Sequence, residues 1–282
     1  MDTIRHLKVN APSKEVLHFR KIVWAFFEKN GRNTLPWRHT FSPYHILVSE
    51  IMLQQTQVQR VIPYYWKFLK KFPTVQRLAN APLSDVVKVW QGLGYNRRAQ
   101  KLHRAAEEIV GHYRGSFPKA AEQIALLPGV GPYTAHAVAA FAFNRDGVFI
   151  ETNIRTAIIH HFFGDKEDVP DEQIMEVLEQ VLPKGKAREW YSALMDYGAS
   201  LKRSGISHNA RSRTYTKQPS FTGSLREARG AILRELARGA VSPVRLVDLL
   251  GAPRRAQMRT ALRALFAEGL VGKEGEKYVL AD

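Results

Sequence analysis

Apolar residues recur at helical spacing along most of this chain. Between Val16 and Asn30, Phe19, Ile22, Val23, Phe26 and Phe27 share one stripe, and Gly31 closes the run. The same spacing predicts helices over 44–58, 63–72, 84–90 and 97–113, with proline or glycine at their borders. Ala121 to Leu126 and Thr134 to Phe143 flank a glycine turn, and helices over 152–163, 171–182 and 187–200 follow. No segment up to residue 200 alternates with the period of a strand, so this part is expected to be all helical.

Beyond residue 201 the pattern changes. Residues 202–222 are polar, basic and weakly periodic, which fits a linker or a connection with a binding role. Ser224 and Glu227 then form a capping box, and Ala228, Ile232, Leu233 and Leu236 make an apolar face that Gly239 closes. Ser242-Pro243 opens a short helix to Leu250, and Pro253 opens a third that runs through Leu262, Leu265 and Phe266 to Gly269. Leu270-Val271 and Lys277 to Leu280 flank residues 272–276 as a small hairpin. Three helices and a hairpin make a winged-helix pattern.

At 282 residues and 45% hydrophobic, the chain is long enough for a sizeable core and two or three domains. It has no uncharged apolar stretch of about 18 residues, so no membrane span is expected. Residues 1–10 lack the apolar centre of a signal peptide. The absence of cysteine excludes disulfides, a thiolate nucleophile and any cysteine-ligated zinc or iron–sulfur cluster. His160 and His161 are adjacent on a helix without matched ligands, so no metal site is expected. Lys and Arg number 42 against 26 Asp and Glu, a net charge of +16. Residues 201–282 hold 16 basic and 7 acidic residues. Such an excess suits a polyanionic partner, although it also serves solubility alone.

Four segments carry chemistry. From Leu126 to Ala135, Gly129, Val130 and Gly131 sit between two apolar helical stretches, a turn whose bare amides suit a phosphate. Glu50 lies among Tyr44, Ile46, Leu47, Val48, Ile51, Met52 and Leu53; desolvation there would raise its pKa toward that of a general acid. Gln54 shares its face and Gln55 extends the polar patch, though an isolated Glu equally fits a cap or an arginine pair. Glycines around Tyr95, with Arg97 and Arg98 behind it, suit a base and its phosphates; core packing of the ring is the other reading. Glu151, in Phe149 to Asn153, is the second carboxylate in apolar surroundings.

Leu35 to Arg38, Ser49 to Val58, Trp90 to Tyr95, Leu127 to Ala135 and Ala193 to Ala199, in that order, resemble the MutY adenine DNA glycosylases. That family belongs with endonuclease III to the helix–hairpin–helix superfamily, and the likeness covers roughly residues 16–200. Gln54-Gln55-Thr56 favours the MutY branch. The resemblance implies a mainly α, two-lobed helix–hairpin–helix DNA glycosylase fold with a small winged-helix-like C-terminal α/β domain. One lobe would comprise 14–42 and 150–201, the other 43–149 with its hairpin at 122–135, then the basic linker 202–222 and the last domain 223–282.

By the same resemblance, Glu50 protonates the departing base and Glu151 and Asn153 stand at the second catalytic carboxylate. Tyr133 takes the place of the Schiff-base lysine of lyase-active relatives. Gln54 and Gln55 enter the duplex near the vacated base, Tyr95 is a ring at the lesion site, and Gly129, Val130 and Gly131 hold phosphate; Arg97, from the reading of the glycine loop, is expected to bind DNA. Asp196 is structural. Arg254, Arg255 and Arg259, at the start of the last helix, face either a groove or solvent. The implied protein is a monomeric, monofunctional glycosylase of double-stranded DNA without cofactor or iron–sulfur cluster, in a bacterial cytoplasm or a nucleus. The expected substrate is adenine opposite guanine or 8-oxoguanine. Another damaged or mismatched base, or lesion binding without catalysis, are the alternatives. Three departures stand out: Glu151 replaces the family's Asp, the cluster cysteines are missing, and the lesion-reading domain is replaced by the short basic C-terminal unit.

Overall fold

The computed structural model describes residues 12–213 and 220–282. The signal-peptide reading at 1–10 and part of the basic linker, 214–219, lie outside the described residues. α1 (Lys14–Asn30) starts at Ser13, whose side chain accepts from the Val16 amide at 3.2 Å. A 3-10 turn at Pro36–His39 leads to α2 (Pro43–Leu53), capped by Ser42 with Pro43 in its first turn. α3 (Val58–Lys71), α4 (Val75–Ala79), α5 (Leu83–Trp90) and α6 (Arg97–Gly111) follow. The short α7 (Ala121–Ile124) and α8 (Pro132–Phe143) flank the glycine turn. α9 (Thr152–Phe162), α10 (Asp171–Val181) and α11 (Ala187–Arg203) complete a stretch that is helical, as its periodicity predicts.

Two sequence boundaries move. The helix expected over 44–58 stops at Leu53 and the one expected from Pro63 begins at Val58. Gln55 adopts a left-handed backbone (φ 53°) that breaks the first helix, and Pro63 sits inside the second, where it forgoes one intrahelical bond. α4, too short to show a period, is set by its Thr74 cap.

The chain divides into two compact units. The first contains 12–34 and 144–213 of the described residues, the second 35–143 and 220–282. These breaks differ from those read at 42/43 and 149/150. Trp37 packs on Tyr65 at 5.5 Å within the second unit, while Asp146 accepts from the Gly185 amide and Tyr191 donates to Gly147 O within the first. The early part of the expected linker also belongs to the first unit. Lys202 and Arg203 finish α11, and Arg211 donates to the carbonyls of Gly164 and Lys166.

The first unit buries Val16, Phe19 and Val23 of α1 together with Ile158, Ile159, Leu178, Trp190 and Leu194, and Phe19 meets Trp190 edge to face at 6.0 Å. α9 and α11 lie so close that a Cβ on Gly198 would collide with the Asn153 carbonyl. Asp196, 1% exposed, accepts from the Arg32 amide (2.7 Å) and Nε (2.5 Å), tying α11 to the chain after α1.

In the second unit, α2 runs through a core that includes Ile46, Leu47, Ile51, Phe68, Trp90, Leu102 and Val138. The C-terminal part has the expected three helices and hairpin: α12 (Leu225–Leu236), α13 (Pro243–Asp248), α14 (Arg255–Ala267), β1 (Val271–Glu274) and β2 (Lys277–Leu280). The strands are antiparallel, pairing Val271 with Leu280 and Glu274 with Lys277, and Val241 bridges to Tyr278. The residue expected to open the third helix, Pro253, instead lies in a 3-10 turn (Ala252–Arg254) before α14. This part shares its apolar core with Leu83 and Val87 of α5. Its basic surface gave no hint of that attachment. Among the described residues, no helix is long and apolar enough to cross a membrane.

Candidate active site and nucleic-acid interface

α2 carries the first carboxylate. Every residue from Ile46 to Met52 is buried, so Glu50 is embedded at 6% exposure, and Tyr133 Oη donates to its Oε2 at 3.1 Å. The tyrosine belongs to the first turn of α8, immediately after the glycine turn. Gln54, which ends α2, donates from Nε2 to Thr134 Oγ1 at 3.2 Å, so α2 and α8 are joined at two adjacent points.

The turn between α7 and α8 is built as its sequence suggests. Gly129 has φ +80°, a conformation that costs other residues energy, and a Cβ there would also press on the Lys101 side chain. Val130 puts its side chain into the core at 6% exposure and uses its amide on Leu127 O at 3.1 Å. The amides that begin α8 point out of a helix N-terminus, where the dipole favours an anion.

Arg98, read from the sequence with Arg97 as a cation for a base and its phosphates, is instead buried and organises the rest. Its Nη1 donates to the carbonyls of Ile51, Met52 and Gln54 at 2.8, 2.9 and 2.6 Å. Its Nη2 reaches Thr56 Oγ1 at 3.2 Å and Gly94 O at 3.0 Å. One cation thereby ties the end of α2 to the glycine loop before α6. That loop turns Tyr95 into a left-handed backbone (φ 49°), with the Arg98 guanidinium 5.4 Å from its ring centroid.

Gln54, Gln55, Tyr95, Arg97 and Tyr133 line one cavity of about 770 Å³, with Gly129 and Gly131 also in its wall. Arg226 and Arg229 of α12 complete it. Arg97 stands 3.9 Å from Glu268, which also receives both terminal nitrogens of Arg229, at 2.9 and 2.5 Å.

Glu151 and Asn153 belong to the first unit. Glu151 caps α9: its Oε1 accepts from the Asn153 and Ile154 amides, both at 2.8 Å, and its Oε2 from Asn153 Nδ2 at 3.0 Å. Lys202 Nζ donates to Thr152 Oγ1 and Asn153 Oδ1, both at 3.1 Å. Burial pushes the Glu151 carboxyl above its ordinary pKa, while the two amides, Lys202 and Thr152 pull the other way. Desolvation lowers the Lys202 ammonium, which Glu151 opposes.

The three arginines singled out in α14 and its approach divide. Arg254 donates to Glu227 Oε2 (2.6 Å), Gln257 and Ser224 O, bracing the start of α12, and Arg255 pairs with Asp248. Arg259 is exposed. His160 stacks on His208 with centroids 5.5 Å apart, and among the described residues no three His, Asp or Glu side chains cluster as metal ligands.

A helical frame with a glycine turn feeding a helix N-terminus, a buried glutamate and a cavity rimmed by glutamine and arginine matches the fold and site that the sequence resemblance implies. The family model described as HhH-GPD superfamily base excision DNA repair protein matches residues 48–184. A protein of Mycolicibacterium smegmatis named adenine DNA glycosylase is 31% identical over 272 residues, covering 89% of this chain and 92% of that one. One of Buchnera aphidicola subsp. Baizongia pistaciae with the same name is 36% identical over 186 residues, 66% of this chain and 53% of its own. The chain thus spans about half the length of the Buchnera relatives it matches. A solved structure titled a thermostable thymine-DNA glycosylase is 32% identical with a TM-score of 0.61, over 66% of this chain and 87% of that one. The chain belongs to the HhH-GPD superfamily of base excision DNA repair proteins, and within it to the MutY-like family.

Proposed function

We propose that this protein hydrolyses the N-glycosidic bond of adenine mispaired with guanine or 8-oxoguanine in double-stranded DNA. The observation that carries the reading is the embedded Glu50, held by Tyr133 and followed by Gln54 and Gln55. Relatives similar along most of the chain are named adenine DNA glycosylase.

The target nucleotide leaves the stack, because no side chain reaches its bond within a duplex. Glu50 gives a proton to a ring nitrogen of the adenine. The electron pair of the C1′–N bond departs with the base, and C1′ becomes an oxocarbenium centre. Glu151 stabilises that positive charge; water adds at C1′ and loses its proton, leaving an abasic site. The Glu151 carboxyl is held at its own helix N-terminus by the Asn153 and Ile154 amides, which supports this role. The amides at the start of α8 anchor a backbone phosphate, and the basic C-terminal part adds further phosphate contacts.

Tyr133 offers no amine, so strand cleavage by Schiff-base chemistry is expected to be weak or absent, with Lys202, whose ammonium donates to Asn153, the amine that would supply any. The protein acts as a monomer, needs no iron–sulfur cluster for want of thiolates, and works where chromosomal DNA is, in nucleoid or nucleus. A second reading, thymine opposite guanine, is favoured by the likeness to the solved thymine-DNA glycosylase.

Single-turnover base release by wild type, Glu50→Gln and Glu151→Gln, with and without alkali, tests the chemistry. Each variant is expected to lose at least about a hundredfold in rate while still binding duplex, since a positioned acid contributes roughly that much or more. Strand breaks are expected only after alkali. Undiminished release by Glu50→Gln, or breaks without alkali, contradicts the mechanism.

A further inference from the structure

We propose that Arg226 is a specificity-determining residue that reads the base facing the excised one, by donating to the O6 acceptor of a guanine-type purine. The proposal deepens the glycosylase reading and rests on it for the identity of the facing base.

Arg226 lies in the first turn of α12, 131 residues from the loop it touches. The attachment that brings it there is firm. Leu83 and Val87 share the C-terminal apolar core, and the buried Gln100 of α6 donates to Glu268 O at 2.8 Å and Gly269 O at 3.3 Å. From that base Arg226 Nη1 donates to Tyr95 Oη at 2.5 Å. Its guanidinium lies 5.1 Å from the Tyr95 ring centroid and 5.9 Å from that of Phe221. Nη2 donates to Ser220 O at 3.3 Å. A planar donor fork is thus held beside an aromatic ring in the wall of the same cavity as Gln54, Gln55 and Tyr133.

Two features favour a base edge over a phosphate. The guanidinium lies in a concave wall, where a splayed or gapped base fits, and an arginine fork recognises guanine O6 and N7 more often than any other base edge. The same wall also holds two non-glycine residues with left-handed backbones, Gln55 and Tyr95. Such strain persists where surrounding contacts over-determine it, and it clusters at ligand sites. Arg229, one turn further, is joined at both terminal nitrogens to Glu268 and braces the junction. The C-terminal part therefore contributes to recognition inside the cavity, beyond lending charge.

Affinity is measured by fluorescence anisotropy for duplexes carrying a tetrahydrofuran abasic analogue opposite guanine or opposite 2-aminopurine, which lacks O6. Wild type is expected to prefer guanine by roughly tenfold, within the discrimination one arginine–base contact provides. Arg226→Ala and the milder Arg226→Lys are expected to bring the ratio close to one, with thermal unfolding checked for both. An unchanged ratio in a folded variant, or no preference in wild type, overturns the proposal. An equal loss on both duplexes assigns Arg226 to a phosphate and also overturns it. Because the readout requires no base release, a wild type that releases no adenine sinks the proposed reaction while the ratio still decides the role of Arg226.

Discussion

Arg98 is 9% exposed and spends its terminal nitrogens on the carbonyls of Ile51, Met52, Gln54 and Gly94 and on the Thr56 hydroxyl. Burial lowers its pKa to about 10, so it remains charged at neutral pH. Truncation leaves buried carbonyls without a donor, and hydrogen bonds to charged groups contribute about 1.5–3 kcal/mol each. Arg98→Ala is therefore expected to lower the unfolding free energy by roughly 3 kcal/mol or more in urea titration. A loss under about 1 kcal/mol contradicts this account of the loop. Legibility at this scale follows distance along the chain. Glu50, Gln54, Tyr133 and Glu151 sit in short local motifs, and the sequence picks them out. Arg98 and Arg226 act on partners 42 to 47 and 131 residues away, and nothing beside them signals that reach.

Helices were legible wherever an apolar face recurs over ten or more residues, as in α1, α6, α9, α10 and α11. The breaks were less so. Gln55 ends α2 through its backbone conformation, which glutamine does not announce, and Pro63 reads as a helix start when considered alone. The packing of α9 on α11 has a pH dependence of its own. His161 contacts Tyr197 Oη at 2.7 Å and lies against Phe19 and His160. Burial, then His160 and His18, depress its pKa from 6.5 to about 4. Below pH 6.5 the unfolded chain takes up a proton that the folded chain refuses until about pH 4. Stability from this group is whole above that window and is lost as pH falls through it. Thermal unfolding of His161→Phe across the window is expected to decline less steeply than that of wild type. Parallel curves contradict the assignment.

At the scale of the whole chain, composition and charge pointed to a polyanionic partner, and the resemblance narrowed that to DNA repair. The likeness left one part blank. The C-terminal helices and hairpin read as a separate domain after a linker, yet they complete the core beneath α5 and put Arg226 and Arg229 into the cavity wall. Sequence periodicity shows that Leu83 and Val87 are apolar but cannot say which apolar face meets them. The central claim concerns the base released, and relatives point two ways, to adenine and to thymine. The most direct measurement is single-turnover release by the wild-type chain from duplexes with adenine opposite 8-oxoguanine, adenine opposite guanine and thymine opposite guanine. Free adenine, released fastest from one of the first two, is the expected result. Thymine released faster than adenine, or no base released from a duplex that is bound, would contradict it.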